Sequence, residues 1–224
     1  MTRSRLFNPC VAVLLAILLG GCASGGASAG GAPLLDPASG AMNTRAPDRY
    51  RVVLVTSKGD VTIDVTRAWA PEGADRFYNL VRNGFYDGAR FFRVLPGFIV
   101  QFGISGDPAI ASVWRSATID DDPPAESNSR GTLSFAAAGP DTRATQVFIN
   151  LRGNPDLDGL RFTPFGRVVG GMEIVESFYS AYGEGAPNGP GPDQLRMYSE
   201  GNAYLQQAFP MLDYITETRV SRLN

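Results

Sequence analysis

The sequence predicts a mainly β fold, an antiparallel sheet closed on itself and capped by helices. Short β-branched and aromatic runs bounded by Gly, Pro and Asp recur between Tyr50 and Val220. Only two main segments carry helical spacing, and the first two strand runs read as a hairpin. Many strands with few helices favour a closed antiparallel sheet over other layerings.

Each element has a local reason. Tyr50 to Thr56 and Asp60 to Val65 are β-branched runs separated by the turn Ser57-Lys58-Gly59. Pro71 suits the first turn of a helix through Arg82, with Ala74, Phe77, Leu80 and Val81 on one face and Gly84 as its stop. Further strands are expected at Arg90 to Leu95, Phe98 to Phe102, Thr132 to Ala136, Gln146 to Leu151 and Phe165 to Val169. Met172, Val175 and Tyr179 place a second helix over Gly171 to Ala181. Gly183 to Pro192 (GEGAPNGPGP) breaks regular structure, Gln194 to Phe209 is partly helical, and Asp213 to Val220 alternates like a last strand.

The N-terminus reads differently. Arg3 and Arg5 precede an apolar run from Val11 to Leu19, which is too short to span a membrane and has the form of a signal peptide. Leu19-Gly20-Gly21-Cys22 resembles a bacterial lipoprotein lipobox, which implies a signal over 1–21 and a lipid on Cys22. Cys10 would leave with the signal, so the mature chain could form no internal disulfide. Residues 22–48, rich in Gly, Ala, Ser and Pro, are expected to be a flexible tether to a domain over 49–224, in which 183–209 is an insertion. Ala23 after the cysteine resembles lipoproteins of the outer membrane. The expected location is therefore the bacterial cell envelope, lipid-anchored and facing the periplasm.

Composition removes whole classes of chemistry. With no histidine there is no Ser-His-Asp or Cys-His arrangement and no His-ligated metal. Twenty basic and 22 acidic residues give a net charge of -2, without the field that holds nucleic acid. Lys58 is the only lysine. Asp120-Asp121-Asp122 before two prolines reads as a solvated loop rather than a metal site. Asn154 to Gly159 imitates a calcium loop but has Phe165 where a bidentate acid is required. Gly183-Glu184-Gly185 lacks the third glycine of a dinucleotide fold, so neither a cofactor nor a metal is expected.

Two runs are more specific. FFRVLPGFIVQFG (Phe91 to Gly103) sets Arg93 and Gln101 among aromatic and aliphatic residues, and RGTLSFAAAGPDTRATQVFIN (Arg130 to Asn150) follows. Together they resemble the cyclophilin family of peptidyl-prolyl cis-trans isomerases. APEGADRFYNLVRNGFYDGARFFRV and LDGLRFTPFGRVVGGMEIVE extend the resemblance over roughly Arg49 to Ser180. The resemblance implies a closed eight-stranded antiparallel barrel with a helix over each end, and a late, partly helical insertion before the final strand.

It also implies roles. The catalytic arginine falls on Arg93 and its glutamine on Gln101, and the proline pocket falls on Phe98, Ile99, Phe148 and Leu157. Substrate backbone would meet Phe135, Ala136 and Ala137, with Gln146 lining the groove and Phe162 where the family has a second histidine. The histidine beside the arginine is Phe92 here, and Asp156 replaces a tryptophan. The expected activity is Xaa-Pro isomerisation in exported or folding polypeptides, with proline-containing peptides or unfolded clients as partners. A non-catalytic proline-peptide-binding or chaperone module, or an envelope scaffold presenting the insertion, fits the same residues.

Overall fold

In this computed structural model, residues 31–223 are described; the signal assigned to 1–21 and the lipidation site Cys22 lie outside them. The elements run α1 (Gly31–Leu34), β1 (Arg49–Thr56), β2 (Gly59–Thr66), α2 (Pro71–Arg82), β3 (Arg93–Leu95) and β4 (Ile99–Phe102). They continue with α3 (Pro108–Trp114), β5 (Thr132–Phe135), β6 (Val147–Asn150), β7 (Pro164–Gly170), α4 (Met172–Glu176), α5 (Gln194–Ala208) and β8 (Ile215–Arg222). All eight strands join one antiparallel sheet in the order β3-β4-β6-β5-β7-β2-β1-β8.

The strand runs expected from the sequence are present, but the barrel is not closed. The sheet is a curled half-barrel whose edge strands, β3 and β8, share no ladder. They meet only through a bridge of Arg90 and Tyr214, with Phe91 N donating to Asp213 O at 3.0 Å and Ile215 N to Ala89 O at 2.9 Å. The bridge lies ahead of both β3 and β8, and because it is antiparallel the two strands lead away from it in opposite directions.

The core fills the concave side. In β1, Tyr50, Val52 and Leu54 alternate inward, as do Val61, Ile63 and Val65 in β2. Phe77 of α2 packs on Phe165 of β7 with ring centroids 5.0 Å apart, so α2 closes one side of the core as its spacing predicts. The cap expected over Gly171 to Ala181 shrinks to α4, because tertiary partners claim the residues after Glu176. Phe178 stacks on Phe91 at 4.0 Å, and Tyr179 N donates to Asp213 Oδ2 at 2.7 Å.

Beside the expected pair, α2 and α4, stand α1, α3 and α5. No element is expected from the sequence at α3, although its start is conventional: Asp107 caps Ala109 N at 2.8 Å and Pro108 opens the first turn. By contrast α5 answers to the partly helical reading of Gln194 to Phe209, and it packs on α3.

Residues 31–48 do not behave as the tether assigned to them. Leu34, Met42 and Ala46 are buried against the domain, and Trp114 Nε1 donates to Leu34 O at 2.8 Å. Their few apolar side chains find the core that the tether reading denied them. The Asp120–Asp122 segment is likewise not simply solvated, since Asp122 is buried and paired with Arg143.

Candidate active site

Register alone assembles the centre of the site. Pro96-Gly97 turns the chain between β3 and β4; Gly97 takes φ 70°, and Phe98 N donates to Leu95 O at 2.9 Å. That turn pairs Arg93 with Gln101, and Gln101 pairs in turn with Phe148 of β6. Directly opposed residues share a face, so these three stand in a row across the sheet. The neighbouring row, Val94, Val100, Ile149 and Leu133, points into the core.

The row opens into a cavity of about 330 Å³. Phe98, Ile99, Phe148, Leu157 and Phe162 give it apolar walls, and Arg93, Gln101, Ala136 and Ala137, also expected from the sequence, line it together with Glu184 and Gln194. Phe148 and Phe162 meet edge to face, with centroids 5.6 Å apart. The structure does not bring Phe135 to this cavity. Its side chain lies in the core against Phe165, and its backbone pairs with Val147. Gln146 lines an adjoining cavity of about 380 Å³, which shares Gln101, Ala136 and Ala137 with the first.

Polar groups form a line along the floor. Arg93 Nη1 donates to Gln101 Oε1 at 3.0 Å, and Gln101 Nε2 donates to Gln146 Oε1 at 2.8 Å. Gln146 Nε2 then donates to Gln194 Oε1 and Tyr198 Oη, both at 3.0 Å. At the other end Glu184 accepts from Arg93 Nε and Nη2, both at 2.7 Å. The guanidinium of Arg93 holds the Glu184 carboxyl below its ordinary pKa. Glu184 and Gln194 carry no role expected from the sequence, because nothing in a glycine- and proline-rich segment signals where it will fold back.

A buried amide network supports the apolar wall. Asn154 Nδ2 donates to Phe98 O at 3.2 Å and to Asn150 Oδ1 at 2.8 Å. Asn128 Nδ2 donates to Phe162 O at 2.6 Å and to Asp158 Oδ1 at 2.7 Å. Burial alone would raise the pKa of Asp158, but bonds from Ser127 and Asn128 outweigh it and lower it. These residues fix the backbones that carry Phe98 and Phe162.

Phe92 has a separate explanation. With Ile104 and Ala111 it belongs to a second core, completed by Met197, Tyr204 and Leu205 of α5 and by Leu212. An imidazole there would be enclosed by apolar side chains. Asp156, by contrast, is exposed. Among the described residues, no group of three or more His, Cys, Asp or Glu is placed to hold a metal ion.

The site can grip a small apolar ring and present guanidinium donors beside it. Residues 51–193 match the sequence model of a family described as cyclophilin type peptidyl-prolyl cis-trans isomerase/CLD. The chain belongs to this family. The cyclophilin is 37% identical over 135 residues to a peptidyl-prolyl cis-trans isomerase-like 1 of Rhizopus delemar, covering 58% of this chain and 79% of the relative. It is 39% identical over 131 residues to a peptidyl-prolyl cis-trans isomerase of Schizosaccharomyces pombe, covering 56% and 82%. A Cryptosporidium parvum cyclophilin type peptidyl-prolyl cis-trans isomerase shares its fold, with a TM-score of 0.55 and 22% identity over 79% of this chain and 99% of that one. This cyclophilin is thus an enzyme of the isomerase class, and its matched region ends one residue before α5.

Proposed function

We propose that the chain accelerates isomerisation of Xaa-Pro bonds in exported or folding polypeptides, with Arg93 acting on the prolyl nitrogen. The carrying observation is that Arg93 shares one cavity with Phe98, Ile99, Phe148 and Leu157. An Xaa-Pro bond rotates over a barrier of about 18–20 kcal/mol because amide resonance is lost at the twisted state. As resonance is lost, the prolyl nitrogen becomes pyramidal and can accept a hydrogen bond. A donor from Arg93 there favours the twisted state over both planar ones, which is differential binding without a base or nucleophile. The aromatic walls hold the proline ring, and Gln101 orients the flanking peptide.

Cys22 carries the lipid in this proposal, placing the enzyme in the bacterial cell envelope, at the outer membrane and facing the periplasm. The support is the signal-like residues 1–21 and the Leu-Gly-Gly-Cys ending. The slowness of uncatalysed isomerisation, tens to hundreds of seconds, gives an isomerase work on chains folding there.

The deciding experiment measures exchange between cis and trans Xaa-Pro peptides by NMR, with wild type and Arg93→Ala. Acceleration that collapses in Arg93→Ala supports the proposal, and full activity in the variant overturns the role of Arg93. Fatty-acid labelling lost in Cys22→Ser tests the anchor. Because Glu184 already engages Arg93, a proline-peptide-binding module without turnover is the second reading; saturable peptide binding with no exchange enhancement would select it.

A further inference from the structure

We propose that Glu184 is a positioning residue for the isomerase: carried in by the insertion, its carboxylate grips Arg93 and determines which guanidinium donors remain for the substrate. The inference rests on the reading of Arg93 given under Proposed function.

A guanidinium has five N–H donors: one on Nε and two on each terminal nitrogen. Glu184 takes the Nε proton and one on Nη2, and Gln101 takes one on Nη1. One proton therefore remains on each terminal nitrogen, and Arg93 lines the cavity where a proline would sit. Without Glu184, two of the three bonds that hold the fork disappear and the long side chain regains its rotamers. The paired side chains are 22% and 35% exposed, and the bidentate geometry confers an orientation that a single contact would not.

The insertion is built to deliver this carboxylate. Gly191 N donates to Glu184 O at 2.8 Å, and Gly185 N donates to Glu184 Oε1 at 3.0 Å. A Cβ at Gly189 would come within 2.4 Å of Glu184 O, so the glycines let the loop wrap tightly around that residue. Downstream, Asn202 N donates to Gly106 O at 2.9 Å, and α5 completes the core around Phe92. The same insertion supplies Gln194 and Tyr198 at the far end of the polar line, through Gln146. Both ends of the polar line, Arg93 and Gln146, are thus held by one segment, with Glu184 inside the family match and Gln194 and Tyr198 beyond it.

The test uses the full chain with Glu184→Gln, Glu184→Asp, Arg93→Ala and the double variant Glu184→Gln/Arg93→Ala. Glu184→Gln is expected to lower kcat about tenfold while KM changes less than about twofold, as expected when orientation rather than binding is lost. Glu184→Asp keeps the charge on a shorter arm and recovers part of that loss. The losses in Glu184→Gln and Arg93→Ala do not add, because one acts through the other. NMR of the Arg93 Nε–H gives a readout independent of turnover: slow solvent exchange in wild type and in Glu184→Asp, fast exchange in Glu184→Gln. A kcat in Glu184→Gln equal to or above wild type overturns the proposal, as do additive losses, which would mark a purely structural role. Wild type without isomerase activity overturns the functional reading instead, and the Nε–H exchange then decides by itself whether Glu184 fixes Arg93.

Discussion

Arg143 and Asp122 form an ion pair almost wholly removed from solvent, with Nη1 2.9 Å from Oδ2 and side chains 1% and 3% exposed. The same carboxylate accepts Glu72 N and Gly73 N at the start of α2, each at 2.9 Å, so a loop distant in sequence caps that helix. Asp122→Ala leaves a buried guanidinium and two helix N–H groups short of a partner. Urea unfolding is expected to show a loss of about 3–5 kcal/mol. A loss below about 1 kcal/mol would mean that water replaces the carboxylate.

Arg93→Lys separates charge from geometry. An ammonium keeps the positive charge but cannot meet Glu184 through two parallel bonds while also reaching Gln101. A fall in kcat/KM of about 10²-fold is expected from the loss of oriented donors. Peptide binding followed by NMR titration should change little, since Phe98, Phe148 and Leu157 still form the pocket. Activity within about twofold of wild type would show that charge alone suffices.

The Glu184 pair makes stability depend on pH in one direction. Because Arg93 depresses the carboxyl's pKa in the folded chain, the contribution is present above the ordinary glutamate value and disappears as pH falls through the depressed one. Wild type is expected to exceed Glu184→Gln in urea midpoint at pH 7, with the gap narrowing below about pH 4.3. A gap that widens on acidification contradicts the pairing.

Phe92→His restores the residue common in the family to a place that no longer suits it. Phe92 is 1% exposed in the core shared with α5, so an imidazole there loses packing and has an unpartnered ring N–H. The cost is expected to be about 2–4 kcal/mol. Burial lowers the folded pKa of such a histidine, so stability falls further below about pH 6.5, where the unfolded chain binds the proton. Equal urea midpoints at pH 8 and pH 5.5 would show that the ring reaches water.

Local patterns carried most of the fold into view. The alternation of Tyr50, Val52 and Leu54, and the Pro71 start of α2, were legible because each is decided within a few residues. Arg93, Gln101 and Phe148 were reached through the family resemblance: the turn at Pro96-Gly97 pairs the first two, but β6 joins β4 from far along the chain and no local pattern sets that register. Openness was not legible. Whether β3 and β8 ladder depends on where the short β3 starts and β8 begins, which no hydropathy pattern encodes. The helix expected through Ala181 ends early for a similar reason, since Tyr179 N is claimed by Asp213 more than thirty residues later. Glu184 and Gln194 entered the site by tertiary folding of a segment whose sequence advertises only turns. Phe135, expected to offer backbone groups to substrate, lies outside the cavity that Ala136 and Ala137 line, because its backbone is paired with Val147 of β6 and its ring is in the core.

The position of β8 governs the order in which this chain can become an enzyme. β1 is the first strand, yet one of its two neighbours is the last, with Val52 opposite Val220. Glu184, Gln194 and Tyr198 likewise lie in the final fifth of the sequence. Such long-range closure is slow relative to local pairing. During synthesis the apolar walls of the cavity can form from residues 93–162, but its polar line is unfinished at both ends until Glu184, Gln194 and Tyr198 have emerged. The polar line of the groove is therefore assembled only after Tyr198 has been made.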